Sequence, residues 1–275
     1  MKKAVRNQLI ALPLTAITCA AMIGLVVGEV VIINHFSSQK IAIRWQIADI
    51  LIGLTVYLKT SIDFAMFIGR LMSHNQGLKG RIAIEVGTAL GNAVGTMAVL
   101  LLWAGFKEVH WLLAIMIVVA ALVLLRLAED GLEHILEVKH HYPSWLGKFV
   151  SGFERSLVTI NRPFKPLLGK LLPSTSLSSG HRATFWALLA MAFTVPFILG
   201  LDDFAGYVPL FNVVNVVGFA SGVFIGHMIL NIFLYLSPKR TIAAVKNPLI
   251  SLAGSLAFVI LAGWGLIEAS KLLLH

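Results

Sequence analysis

Seven apolar runs, each close to the length of a membrane-crossing helix, leave this chain few ways to fold. A hydrocarbon layer about 30 Å thick takes roughly 20 helical residues to cross. The runs cover residues 9–33, 46–72, 82–106, 111–127, 184–210, 213–236 and 248–267. In hydrocarbon every backbone N–H and C=O needs an internal partner, which a helix supplies within its own segment. The expectation is an all-α membrane protein with seven transmembrane helices.

Composition agrees. With 58% hydrophobic and 13% charged residues and a mean hydropathy of +0.87, the chain is too apolar for a water-soluble globule of its size. A formal charge of +9 invites a nucleic-acid reading, but the basic residues are spread over the loops rather than gathered on one face, so no nucleic-acid partner is expected. Lys2, Lys3, Arg6, Lys79, Arg81, the loop after Arg126, Lys239, Arg240 and Lys246 fall on one side of the bilayer. Lys40, Arg44, Lys107 and Lys271 fall on the other. The positive-inside rule then places the N-terminus in the cytoplasm and the C-terminus outside. The basic head and apolar middle of the first run also fit a secretory leader, whereas its continuation to Ile33 favours a retained helix. Cys19 is the single cysteine, which excludes a disulfide framework, a CxxC pair and a multi-thiolate metal site within one chain.

Residues 129–182 form the one long non-spanning piece, expected on the cytoplasmic side. Trp145, Leu146, Phe149, Val150, Phe153 and Leu157 recur there at helical spacing, as in a helix lying in the headgroup region. Upstream, Glu133, Glu137, His140 and His141 stand at spacings compatible with a metal ion, and equally with a solvated helix end.

The chain repeats itself. "VGTALGNAVGTM" (residues 86–97) and "VGFASGVFIGHM" (residues 217–228) agree at Val, Gly, Ala, Gly, Gly and Met. Each carries three glycines at four-residue spacing, a ridge that lets another helix approach closely. The run before each ridge holds a DFA motif, Asp63-Phe64-Ala65 and Asp203-Phe204-Ala205. The expected organisation is an N-terminal helix with its outer loop (1–45), a three-helix repeat (46–128), the cytoplasmic segment (129–182) and a second three-helix repeat (183–275). Three is odd, so the second repeat enters from the opposite side. Inverted repeats are the arrangement of secondary transporters, whose sites form near the midplane where broken helices of both halves meet.

The two motif runs carry the chemistry. Lys59 and Asp63 stand one turn apart in an apolar run, where a charge costs roughly 2.5–3.5 kcal/mol on insertion scales and so calls for a partner or ligand. Mutual neutralisation is the structural alternative. Asp202 and Asp203 add two carboxylates, preceded by Pro196, which is expected to disrupt its helix, and bracketed by Gly200 and Gly206. Freed carbonyls beside paired carboxylates suit a hard or borderline divalent cation; a plain extracellular turn is the alternative. Thr60, Ser61, Asn92, Thr96, Asn215 and His227 are further candidates for the substrate or coupling site, with Thr96 and His227 at equivalent repeat positions. Glu85 belongs near the cytoplasmic mouth, solvated or gating.

"TSID" at residues 60–63 and "GLDDFAGYVPLF" at residues 200–211 resemble the two signature motifs of the cadmium-resistance transporter family, within the lysine exporter superfamily. The resemblance implies inverted three-helix repeats, export of metal ions or small solutes, and Asp63 and Asp202 as paired functional acids with Asp203 beside them. The DFA alignment instead pairs Asp63 with Asp203. The leading expectation is a bacterial inner-membrane exporter of divalent cations, proton-coupled, using Asp63, Asp202 and Asp203. Its metal ion is the transported substrate, with no tightly bound cofactor. Protons, lipid and, in a homo-oligomer, further copies of the chain are its partners. The alternative is export of an amino acid or other small organic solute, with Lys59 meeting its carboxylate. A non-transporting membrane subunit is a lesser one. No GxSxG or HExxH pattern points to an enzyme.

Overall fold

The computed structural model describes residues 2–75, 77–137, 144–163, 184–199, 207–208, 210–211, 214–245 and 247–274. No strand occurs among them. The helices are α1 (Lys2–Phe36), α2 (Ile47–Thr60), α3 (Ile62–His74), α4 (Leu78–Phe106), α5 (His110–Glu137), α6 (Ser144–Asn161), α7 (Phe185–Leu199), α8 (Val216–Leu236), α9 (Pro238–Val245) and α10 (Pro248–Leu274).

Five of them contain segments long and apolar enough to cross a membrane: Leu12–Phe36, Leu78–Phe106, His110–Asp130, Val216–Leu236 and Leu252–Leu274. The second expected span is not one helix. Its halves, Ile47–Thr60 and Phe64–His74, meet at 71°, and the break lies inside the first motif. Ser61 has ψ near 26°, off the helical value. Its N–H and its hydroxyl both donate to the carbonyl of Tyr57, at 3.0 and 2.6 Å. Thr60 Oγ1 donates to Val56 and Tyr57 carbonyls at 3.1 and 3.2 Å. Hydroxyl back-bonding of this kind competes with the helical ladder and bends it.

The fifth expected span is met by an apolar helix of 15 residues, about 22 Å of rise. Pro196 lies inside α7 rather than ending it. Its ring packs against a residue without a side chain, its Cγ 3.2 Å from where a Cβ on Gly91 would stand. In turn α5 runs on to Glu137, past the point where the cytoplasmic segment was expected to begin.

Glycines decide which helices touch. A Cβ on Gly222 of α8 would fall 2.0 Å from the carbonyl oxygen of Ile50 on α2, and one on Gly53 of α2 would fall 2.1 Å from that of Phe219. A Cβ on Gly91 of α4 would stand 2.2 Å from the carbonyl oxygen of Phe193 on α7, and one on Gly87 2.6 Å from that of Leu189. The ridge of α4 therefore packs on α7 and the ridge of α8 on α2, while α5 packs along α10. Across α4 and α8 lies α1, burying Met22, Val26 and Val30.

The amphipathic α6 forms as the spacing predicts and packs on α5 with Val150 and Leu157 buried and Arg155 exposed. On the side of the α1–α2 and α4–α5 connections, Ser37 and Ser38 hydroxyls each donate to Glu108 at 2.6 Å, and Lys107 Nζ donates to the carbonyl of Gln39 at 2.6 Å.

Candidate functional site

The broken helix puts its polar residues against α8. Tyr57 Oη and His227 Nδ1 share a hydrogen bond at 2.6 Å. Phe64, the residue after Asp63, packs on the same imidazole with ring centres 5.1 Å apart, and the Tyr57 ring meets it edge-on at 5.5 Å. His227, fully buried, is thus clamped between the last turn of α2 and the first turn of α3. The structure brings this residue of α8 directly to the first motif.

From His227 the polar contacts continue. Its Nε2 lies 3.3 Å from Asn231 Nδ2, which donates to Thr88 Oγ1 of α4 at 3.1 Å. Thr88 donates to the carbonyl of Glu85 at 3.2 Å. Glu85 pairs with Arg81 at 3.3 Å, both side chains being at most 1% exposed. Beside Arg81, the hydroxyl of Thr15 on α1 approaches the Glu85 carboxyl as a donor, in looser geometry than the other bonds of this chain of contacts.

This corrects two expectations. Arg81 is not a loop charge: it lies inside α4, because the Tyr235 ring, 3.9 Å from its guanidinium carbon, and Glu85 one turn on receive it. Glu85 is not solvated, since α4 turns it into the bundle beside Arg81.

Lys59 is buried at the end of α2, its methylene stem filling the space beside Gly254 of α10, where a Cβ would fall 1.8 Å from Cδ. Asp63 is the second residue of α3, so the one-turn spacing on a single helix does not describe its relation to Lys59. The break places Asp63 in a first turn, where N–H groups lack intrahelical acceptors. Its side chain lies outside the described residues, as do Asp202 and Asp203 entirely. Beyond them Tyr207, Val208, Leu210 and Phe211 are buried. Phe211 packs with Trp103 and Phe219, ring centres 5.6 and 5.8 Å apart, so the described residues at the end of the second motif lie in the interior.

Thr60 and Ser61 are spent on the break, as their bonds to Tyr57 show. Asn215 is the N-cap of α8, accepting from Val217 and Gly218 N–H and donating to the Ala42 carbonyl at 2.6 Å. Asn92 and Thr96 are buried in α4, and Asn92 Nδ2 and Thr96 Oγ1 make no hydrogen bond. Among the described residues no three His, Cys, Asp or Glu side chains gather as cation ligands. His140 and His141 also lie outside the described residues.

Sequence reasoning passed over Tyr57, Thr88, Arg81 and Asn231. Asn231 carried a signal, a polar residue one turn from His227 in an otherwise apolar helix. Glu29 of α1, with Oε2 buried and without a hydrogen bond, carried the same one. No family model, curated protein or solved structure matches the chain.

Proposed function

We propose that the chain is a secondary-active exporter of divalent metal cations in the bacterial inner membrane, an antiporter driven by protons and working by alternating access. The N-terminus is cytoplasmic and the C-terminus outside. Asp63, Asp202 and Asp203 are the cation-binding carboxylates. A carboxylate that binds either a cation or a proton exchanges one for the other, which couples the two fluxes.

The observation that carries this reading is the helix break at the first motif. An interrupted span, bent at Thr60 and Ser61, with Tyr57 and His227 buried against the break and Lys59 buried at the end of α2, is what a transporter site uses and what a packing scaffold has no need of. The packing pattern supports the inverted-repeat part. With 46–128 and 183–275 taken as repeats, α4 of the first lies on the opening helix of the second, and α8 of the second on the opening helix of the first. Their closing helices, α5 and α10, lie on each other. Exchanging the halves leaves that pattern unchanged. The likeness of the two motifs to the cadmium-resistance transporter family adds support from the sequence.

Buried Lys59 favours a second reading, export of an amino acid or similar organic solute whose carboxylate Lys59 meets. Thermal unfolding in detergent separates the readings, because a ligand stabilises the state that binds it. On the metal reading, zinc, cadmium or manganese ions raise the midpoint of the wild type by several degrees and leave Asp63→Asn unmoved, while Lys59→Met retains the response. Organic solutes that stabilise the wild type but not Lys59→Met, with no metal response, contradict it.

A further inference from the structure

Arg81, Glu85, Thr88, Asn92 and Thr96 fall within an arc of about 80° on α4 at 100° per residue. All five are buried. The arc looks onto α8 and α1. Arg81 lies against Tyr235 and directs Nη1 to the carbonyl of Asn231 at 3.5 Å, Thr88 accepts from Asn231 at 3.1 Å, and Thr15 of α1 neighbours Glu85. His227 faces the arc through Asn231; the described part of α7, on the other flank of α4, carries no titratable residue.

The Arg81–Glu85 pair is a poor structural device. Removing two charges from water costs several kcal/mol for each, recovered only when geometry and supporting hydrogen bonds are good. Here Arg81 Nε and Nη2 lack a hydrogen bond, and beside its ion pair Glu85 has only the loosely placed hydroxyl of Thr15. The guanidinium is tied to α8 by a ring face and one long carbonyl contact, both of which break without leaving a charged group of α8 unpaired. Farther along the arc stand Asn92 and Thr96, whose Nδ2 and Oγ1 are buried without a hydrogen bond.

We propose that the α4–α8 seam is the route by which a cation passes between the central site and the basic end of the bundle, and that Arg81 is its latch. With the seam shut, Arg81 occupies Glu85 and bridges to α8. A cation arriving at Glu85 displaces it, and Arg81 leaves Asn231 and Tyr235 so that the seam parts. Glu85, the Asn92 amide and the Thr88 and Thr96 hydroxyls line the route with the oxygen donors that hard and borderline divalent cations accept. The proposal rests on the exporter reading and adds to it the path and its gate.

The test replaces Cys19 with serine, introduces Asn92→Cys and measures its reaction in proteoliposomes with a membrane-impermeant, trimethylammonium-bearing thiosulfonate reagent. Tyr235→Leu leaves the charge pair intact and removes the ring that holds Arg81, so labelling from the basic side should quicken at least tenfold. Arg81→Gln paired with Glu85→Gln, neutral overall, should quicken it as well. Unchanged labelling in Tyr235→Leu overturns the latch whatever the double variant does. Labelling requires no transported ion, so a seam that opens without metal flux would keep the latch and remove the exporter reading. Metal flux with unaltered labelling would do the reverse.

Discussion

Single residues turn an apolar helix into a site. From Val56 to Ser61 the chain could continue as an ordinary span, yet the Tyr57 carbonyl takes three donors from Thr60 and Ser61 and the ladder stops. The sequence displayed the hydroxyls but not their effect, because the same side chains sit harmlessly in many helices until the surrounding helices fix the geometry. Arg81 misled for a related reason: next to Lys79 it reads as a loop charge, and only Tyr235, far along the chain, shows why it is buried. At the opposite end Glu108 has a smaller role that pH exposes. The Ser37 and Ser38 hydroxyls donating to it hold its carboxyl below the usual carboxylate range. A folded-state pKa below the unfolded one adds stability above the unfolded value, and that stability is lost as pH falls through the folded value. Glu108→Gln should therefore lower the thermal midpoint slightly at neutral pH, with the difference from wild type vanishing in acid below the carboxylate range. A difference constant across pH would mean that the ionised carboxylate contributes nothing.

At the scale of elements, the glycine ridges were the most legible feature. Four-residue spacing places Gly218, Gly222 and Gly226 on one face whatever the partner, although the sequence does not say which helix approaches. The structure answers with α2: the Asp49 side chain meets Gly218, the Ile50 carbonyl oxygen stands where a Cβ on Gly222 would be, and the Tyr57 ring meets Gly226. Gly222→Val should cost about 1–3 kcal/mol or more, the range for overpacking a filled interface, seen as a lower unfolding midpoint in detergent. Gly263→Val, where nothing lies within 4 Å, should be close to neutral. Equal effects at the two positions would mean that the close approach does not hold the bundle. The amphipathic α6 was legible for the same periodic reason, whereas α7 was not: Pro196 looks like a terminator, yet the helix runs on to Leu199 and packs the proline ring on Gly91.

For the whole molecule, apolar run lengths were enough for an all-helical membrane protein, because hydrocarbon leaves the backbone no other economy among helical chains. They overstated the count of plain spans. Among the described residues five helices are long and apolar enough to cross, the bent pair at the first motif makes a sixth if it counts as one span, and α7 is short. The first motif lies at the break and the second follows α7, so regular span length failed at or beside both motifs whose carboxylates the proposal uses. The central claim is that these carboxylates carry a cation across the bilayer. Its most direct test is flux of a divalent metal ion into proteoliposomes under an imposed proton gradient, comparing wild type with the Asp63→Asn, Asp203→Asn double variant. Gradient-driven flux in the wild type that falls to the level of protein-free liposomes in the variant is the expected result; flux unchanged by the two substitutions would contradict the account.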